Sequence, residues 1–181
     1  MKKIVVLALS ICGALALVGC AAPAPEPAPS PDTSESQSGQ MPNPLVKVES
    51  SQALAAVGVM IDAPSSAENV NYFTLGEDIA RVDFTKQRVV YQLRASLNTD
   101  VKELTGIQGE VKEVGPVTIE TASYKAQAAI YQAKEYEDPY IAGVVKFNDG
   151  TEVAVSLVPD ANVDAQALEG LYKECIETIL A

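Results

Sequence analysis

Segments in which apolar and polar residues alternate place the strongest constraint on the fold of this chain. In residues 78–95, a turn at Lys86-Gln87 sets one row of apolar side chains opposite another, with Ala80, Val82 and Phe84 facing Leu93, Tyr91 and Val89. The other face then carries Arg81, Asp83, Gln92 and Arg94. One apolar and one polar face on both strands is typical of a half-buried antiparallel pair, so we predict a β-hairpin here.

A second hairpin is predicted in residues 140–157. Asn148-Asp149-Gly150 suits a three-residue loop that ends in a left-handed glycine. This loop sets Val145 opposite Val153 on one face and Lys146 opposite Glu152 on the other, and both pairs are favourable across strands. Further strands are predicted at residues 70–75, 117–121 and 126–134. Residues 104–114 favour neither helix nor strand.

Helical spacing occurs near both ends of the predicted domain. Ser50 or Ser51 can cap a short helix over residues 52–57, and Gly58 can end it. A longer helix is predicted over about residues 163–180, with Asn162 as a candidate cap and with apolar residues three and four apart: Leu168, Leu171, Tyr172, Cys175, Ile176 and Ile179. We therefore predict an α+β domain, an antiparallel β-sheet with the C-terminal helix packed on its apolar face.

The first 20 residues resemble a bacterial lipoprotein export signal. A basic start, Met1-Lys2-Lys3, precedes an apolar run over residues 4–18 and the lipobox-like sequence Leu17-Val18-Gly19-Cys20. The pattern implies that residues 1–19 are removed, that Cys20 receives acyl chains such as palmitate, and that the protein is held on the extracytoplasmic face of the cell membrane. The alternative is an uncleaved transmembrane anchor, for which the run is shorter than the roughly 20 apolar residues required.

A proline-rich segment separates the predicted lipid anchor from the domain. Residues 20–43 comprise the modified cysteine and a Pro/Ser-rich tether, and seven of the 11 prolines lie between Pro23 and Pro44. Such a sequence favours an extended polyproline II or coil conformation. We expect a generic linker that leads to a single domain over residues 44–181.

The charge and composition exclude several classes of function. Loss of Lys2 and Lys3 with the signal would change the formal net charge from −11 to −13, which disfavours nucleic acid and broad contact with anionic lipid head groups. The sequence has no histidine, the most frequent general base and zinc ligand. Cys175 would be the one free thiol left, and its place on an apolar helical stripe predicts a buried side chain. We expect no cofactor, no metal and no enzymatic activity.

Two segments carry candidate binding residues. All three arginines, Arg81, Arg88 and Arg94, lie in the first hairpin, where we predict them on the polar face with Arg88 nearest the turn. They could bind an anion or an acidic segment; the alternative is pairing with Asp83 and nearby glutamates. Residues 135–140 combine three carboxylates with Tyr136 and Tyr140, which could stack on sugars or peptides. The spacing does not match a calcium-binding loop, and the alternative is an acidic surface loop.

Several runs carry a family resemblance: Asn43-Pro44-Leu45-Val46, Pro64-Ser65-Ser66-Ala67-Glu68-Asn69-Val70, Ile79-Ala80-Arg81-Val82-Asp83-Phe84, Val89-Val90-Tyr91-Gln92-Leu93-Arg94-Ala95 and Leu104-Thr105-Gly106. Over residues 43–157 the chain resembles the small lipoproteins of Firmicutes that carry a DUF4367-like domain of unknown function. The resemblance implies a curved antiparallel sheet with helices, exposed outside the cytoplasm and non-enzymatic. It transfers no functional residue, and residues 135–140 depart from the shorter, glycine-rich stretch expected there.

Three hypotheses for the function follow from these observations. The first is a membrane-anchored, non-catalytic module that binds an envelope protein, a peptide or a wall component. The second is an envelope-stress or signalling sensor that acts through a membrane partner. The third is a small hydrolase without histidine, which the lack of any nucleophile or phosphate-loop motif disfavours.

Overall fold

The structure, a computed structural model, describes residues 44–133 and 138–180. The predicted signal peptide, Cys20 and the tether lie outside the described residues, as does Tyr136. Within the described ranges, no helix combines the length and the apolar character needed to cross a membrane.

Eight antiparallel strands form one open sheet that dominates the described chain. The strands are β1 (Leu45–Val48), β2 (Glu68–Leu75), β3 (Ile79–Lys86), β4 (Val89–Ser96), β5 (Val111–Glu120), β6 (Tyr124–Ala133), β7 (Pro139–Phe147) and β8 (Glu152–Pro159). Their order is β1-β2-β3-β4-β8-β7-β6-β5, so β1 and β5 are the edges. The helices are a 3₁₀ helix (Ser51–Val57), α1 (Val101–Thr105) and α2 (Ala165–Ile176). The predicted antiparallel sheet with a few helices is confirmed.

The first predicted hairpin is present as β3 and β4, but its predicted turn and register were wrong. The turn is Gln87-Arg88 instead of Lys86-Gln87. Phe84 consequently lies opposite Tyr91 instead of the predicted Val89, a shift of two residues. Gln87 and Arg88 have φ angles of 53° and 69°. Two consecutive left-handed residues are typical of a type I′ turn, whose twist matches that of the paired strands. Because the shift is two residues, the side chains of the paired strand residues keep their predicted faces.

The second predicted hairpin is confirmed in both turn and register. Val145 lies opposite Val153, and Lys146 lies opposite Glu152, on β7 and β8. The Lys146 Nζ atom is 2.8 Å from Glu152 Oε1. Gly150 has a φ of 94°, the left-handed conformation that the loop sequence predicts.

The remaining strands extend beyond their predicted limits. β2, β5 and β6 contain the predicted strands at residues 70–75, 117–121 and 126–134, except that Thr121 lies just after β5 and residue 134 lies outside the described residues. The ambiguous residues 104–114 divide into the end of α1 and the start of β5. β1 was not predicted, because four residues are too few for alternation to distinguish a strand from a loop.

The C-terminal helix is shorter than predicted. It begins after Asp164, whose Oδ1 atom accepts a hydrogen bond from Gln166 N at 2.9 Å, so Asn162 is not the cap. The helix ends at Ile176. Leu180, which the prediction placed in the helix, instead forms an isolated antiparallel bridge with Met60. At the other end, the predicted short helix is the 3₁₀ helix, which ends at Gly58 with a φ of 86°.

One face of the sheet, which we call the core face, holds the main apolar cluster. The fully buried side chains of Leu54 from the 3₁₀ helix and Leu168 and Tyr172 from α2 belong to this cluster, together with strand residues such as Val82 and Leu157. The Tyr172 hydroxyl donates a long hydrogen bond of 3.4 Å to Val155 O. Burial of these side chains supplies the main driving force for folding.

The opposite face, which we call the α1 face, is covered only in part. Leu104 of α1 packs there with Ile79 and Ala154. Arg81 and Arg94 alternate along their strands with core-face residues and therefore lie on the α1 face. This face is where the strands present polar side chains.

A small polar cluster connects the two ends of the domain. The Thr178 hydroxyl donates to Asp62 O at 2.8 Å, and Asp62 N donates back to the same hydroxyl at 3.1 Å. The Tyr72 hydroxyl donates to Asp62 Oδ1 at 2.6 Å. Burial, together with this hydrogen bond and the negative charge of Asp62, raises the pKa of Tyr72 to about 12.

We expect Gly143→Ala to destabilise the sheet. A Cβ atom at this position in β7 would collide with Gln127 O and with Ala128 of the neighbouring strand β6. The free energy of unfolding, measured with urea, should fall by about 1–3 kcal/mol, as for other overpacked positions. Gly170→Ala is the control, because its added Cβ has no neighbour within 4 Å and alanine has a higher helix propensity than glycine. Equal stability of both variants would contradict the close approach of β6 and β7.

The free energy of unfolding should fall less at alkaline pH in the variant Tyr72→Phe than in the wild type. The folded pKa of Tyr72, about 12, exceeds the ordinary value of about 10, so its contribution is complete below pH 10 and is lost as pH rises through 12. Urea unfolding of the wild type and the variant at pH 8, 10, 11 and 12 measures the difference. Parallel stability curves across this range would rule out the contribution of Tyr72.

Candidate functional site

The guanidinium of Arg81 is held by a carboxylate on its own strand. Its Nε and Nη2 atoms donate to the two carboxylate oxygens of Asp83, both at 2.7 Å. The guanidinium carbon also lies 5.6 Å from the centre of the Phe73 ring. The positive charge of Arg81 is therefore balanced within the α1 face, as the alternative drawn from the sequence described.

Arg94 connects the sheet to α1. It lies directly opposite Arg81, and its Nη1 atom donates to Leu104 O at 3.0 Å, while Nη2 donates to Gln92 Oε1 at 3.0 Å. Burial, and secondarily the charge of Arg81, lowers the pKa of Arg94. Because Leu104 O belongs to the last turn of α1, the guanidinium satisfies a helix-end carbonyl that the helix itself leaves unpaired.

A buried hydroxyl lies beside Arg94 and was missed in the sequence. Ser156 of β8 is opposite Arg94 of β4, and its side chain is fully buried. In the described part of the chain, neither Ser156 Oγ nor Arg94 Nε has a hydrogen-bond partner. The signal that could have revealed this position is a single serine inside the apolar run from Val153 to Leu157.

Arg88 does not join the other two arginines. It is exposed in the turn between β3 and β4, with a left-handed backbone, and is not on the polar face as predicted. Arg81 and Arg94 therefore lie opposite each other on neighbouring strands, and Arg88 lies at the tip of the hairpin. A binding role for any of the three remains a prediction.

A second candidate surface is a cleft beside the start of β7, with a volume of about 240 Å³. We call it the Tyr140 cleft. Its described lining residues come from the ends of β6 and β8, the start of β7 and the connection between α1 and β5: Ile107, Ala133, Asp138, Tyr140, Val158, Pro159 and Asp160. Val158 lies opposite Gln92, so the cleft adjoins the polar row that contains Arg94.

The aromatic wall of this cleft is a stacked pair across two strands. Tyr140 of β7 lies opposite Tyr131 of β6, with ring centres 5.4 Å apart and planes inclined by 24°. Tyr140 is buried, so it differs from the surface-loop residue considered in the alternative interpretation of residues 135–140. Burial, and secondarily Tyr131, raises the pKa of Tyr140 and keeps its hydroxyl neutral.

The charged groups of the cleft are both acidic. Val90 N donates to Asp160 Oδ1 at 2.9 Å. Among the described residues, none donates a hydrogen bond to Asp160 Oδ2 or to the Asp138 carboxylate, and no lysine or arginine lines the cleft. The described part of the cleft thus combines apolar side chains with two carboxylates that no described lysine or arginine neutralises.

A larger, open depression on the same face has balanced charges. It is lined by Lys125, Gln127, Val144, Lys146 and Glu152 and has a volume of about 410 Å³. Lys125 lies 3.6 Å from Glu120, and Lys146 lies 2.8 Å from Glu152. Exposed pairs of this kind are individually weak and describe a solvated strand surface.

The described residues contain neither a metal-ligand cluster nor an accessible thiol. No group of three or more histidine, cysteine, aspartate or glutamate side chains within them could hold a metal ion. Cys175 is fully buried, and burial raises the pKa of its thiol, which disfavours the reactive thiolate. The geometry of the α1 face is suited to binding through packing, hydrogen bonds and charge.

We expect Arg94→Ala to destabilise the domain more than Arg88→Ala. Removing the Arg94 guanidinium leaves Leu104 O without its donor, at a cost of about 1–3 kcal/mol in the free energy of unfolding. Arg88→Ala removes an exposed turn side chain and should change that free energy by less than about 0.5 kcal/mol. Urea unfolding at pH 7 compares the two, and equal effects would show that Arg94 does not anchor α1.

Comparison of the chain with protein-family models, curated protein sequences and solved structures finds no match. The resemblance to the DUF4367-like lipoproteins therefore stays a prediction from the sequence.

Proposed function

We propose that this protein is a lipid-anchored, non-catalytic binding module on the extracytoplasmic face of a cell membrane, and that the Tyr140 cleft is its ligand site. The observation that carries the proposal is the cleft itself: an aromatic wall, aliphatic side chains and a few polar groups at one end of the sheet. Concave, mostly apolar sites with a few polar groups are typical of ligand-binding proteins.

The proposed location depends on the N-terminal sequence. Cleavage before Cys20 and acylation of that residue would anchor the mature chain, because two or three acyl chains hold a protein firmly to a membrane. At roughly 3 Å per residue, residues 20–43 would allow the domain to lie up to about 70 Å from the bilayer. The domain could then reach partners in or beyond a cell-wall layer.

The proposed family relationship is consistent with this function. A DUF4367-like domain would have a curved antiparallel sheet with helices and would lie outside the cytoplasm without enzymatic activity. In this protein, α2 contributes to the core face, whereas the Tyr140 cleft belongs to the α1 face. An envelope protein, a peptide or a wall component could therefore approach the cleft without displacing the core.

Photo-crosslinking in intact cells tests the proposed site. A benzophenone amino acid replaces exposed Gln108, which follows Ile107 at the cleft, and in a matched variant it replaces exposed Gln166 on α2. We expect a specific adduct, identified by mass spectrometry, from position 108 and not from position 166. A signalling protein as the adduct would favour the sensor hypothesis.

A blocking substitution provides the control for this experiment. Val158→Trp, combined with the probe at position 108, should fill part of the cleft and reduce the adduct, while circular dichroism confirms that the sheet is retained. The proposed site is wrong if position 108 yields no adduct beyond those of position 166. It is also wrong if Val158→Trp leaves the adduct unchanged.

A further inference from the structure

We propose that the Tyr140 cleft accepts a lysine-type side chain, a primary ammonium group on an unbranched aliphatic stem, presented by a peptide segment. This inference rests on the proposed function of the cleft and specifies the chemical class of its ligand. It is drawn from the charges, walls and volume of the cleft.

The carboxylates call for a cationic ligand. Asp138 directly precedes β7 and Asp160 directly follows β8, and both line the same cleft, where the described residues include no compensating lysine or arginine. A carboxylate next to apolar walls is stabilised by an opposite charge that also donates hydrogen bonds. A ligand that brings a positive charge would therefore gain more here than a neutral or acidic ligand.

The walls suit an aliphatic stem. Ile107, Val158 and Pro159 provide apolar surface against which methylene groups can pack. The Tyr140 ring, held in its stack with Tyr131, adds an electron-rich aromatic group, which attracts a cation. Long basic side chains combine these two properties, with an apolar stem and a charged end.

The size and geometry favour ammonium over larger cations. The volume of about 240 Å³ is smaller than the roughly 300–1,000 Å³ of pockets for drug-sized molecules, so a single side chain can occupy it. Asp160 Oδ1 already accepts from Val90 N, which disfavours a two-pronged contact with a planar guanidinium. An ammonium group has three donors that can rotate toward acceptors on different elements.

The charge of the whole protein supports the same ligand class. The chain has a formal net charge of −11, which would become −13 after removal of the signal. A strongly acidic surface attracts cationic segments and repels acidic ones over distances of about a Debye length, near 10 Å at 0.1 M salt. Binding should therefore weaken as ionic strength rises.

NMR titration of the full chain tests the proposal with three capped tripeptides, Gly-Lys-Gly, Gly-norleucine-Gly and Gly-Arg-Gly. Norleucine has the aliphatic stem without the ammonium group. We expect the lysine peptide to shift backbone amide signals at Tyr140, Val158 and Asp160, and to bind more tightly than the other two peptides.

Isosteric variants separate charge from packing. In the double variant Asp138→Asn with Asp160→Asn, the amide oxygen at position 160 can still accept from Val90 N. The lysine peptide should bind this variant about tenfold more weakly, as expected when charge-assisted hydrogen bonds are lost. Asp149→Asn with Glu169→Gln is the control, because it removes the same charge from two exposed residues that do not line the cleft.

Each outcome decides one of the two proposals. Preferential binding of the lysine peptide, lost only in the cleft variant, supports the assigned ligand class. Equal binding of the norleucine or arginine peptide, or equal loss in the control, overturns that class but leaves the cleft as a binding site. If the signal shifts are confined to other surfaces, or if no peptide causes shifts, the assigned ligand class is overturned. If the crosslinker at position 108 also gives no adduct, the assignment of the cleft as the binding site is overturned as well.

Discussion

The pairing of β4 with β8 is the contact on which the rest of the structure depends. Strands β1 to β4 and strands β5 to β8 each form a meander of sequence neighbours, and among the described strands only the β4–β8 pair joins the two meanders. This pairing connects residues about 60 positions apart, from Tyr91 opposite Pro159 to Ser96 opposite Ala154. Such non-local pairing must offset a substantial loss of chain entropy, and the burial of both strands in the core provides the compensation.

The same pairing determines the chemistry of the α1 face. It places Ser156 beside Arg94 and Val158 beside Gln92, and the backbone of Val90 donates to Asp160 just beyond the end of β8. Arg94 in turn holds the end of α1 over the junction. The arginines thus serve local interactions of the fold, whereas the acidic groups of the Tyr140 cleft keep unused hydrogen-bonding capacity among the described residues.

Structure that depends on neighbouring residues was predicted more accurately than structure that depends on residues distant in the chain. The second hairpin was predicted to the residue because Asn148-Asp149-Gly150 and the Lys146–Glu152 pair are local signals. The first hairpin lacked a favoured turn sequence, so its faces were predicted correctly but its register was not. The C-terminal helix was predicted too long, because Leu180, the last apolar residue of the predicted range, instead pairs with the distant Met60.

The sequence by itself determined the alternation of the strands, the two hairpins and the helical stripe of α2, because each depends on residues within a few positions of one another. It also determined the acidic charge and the absence of histidine. Only the tertiary structure decided that Asp138, Tyr140 and Asp160 line one cleft, since strand order is a property of non-local pairing. The contact of Arg94 with α1 was decided in the same way, because α1 must pack on the sheet before Leu104 O can accept from Arg94.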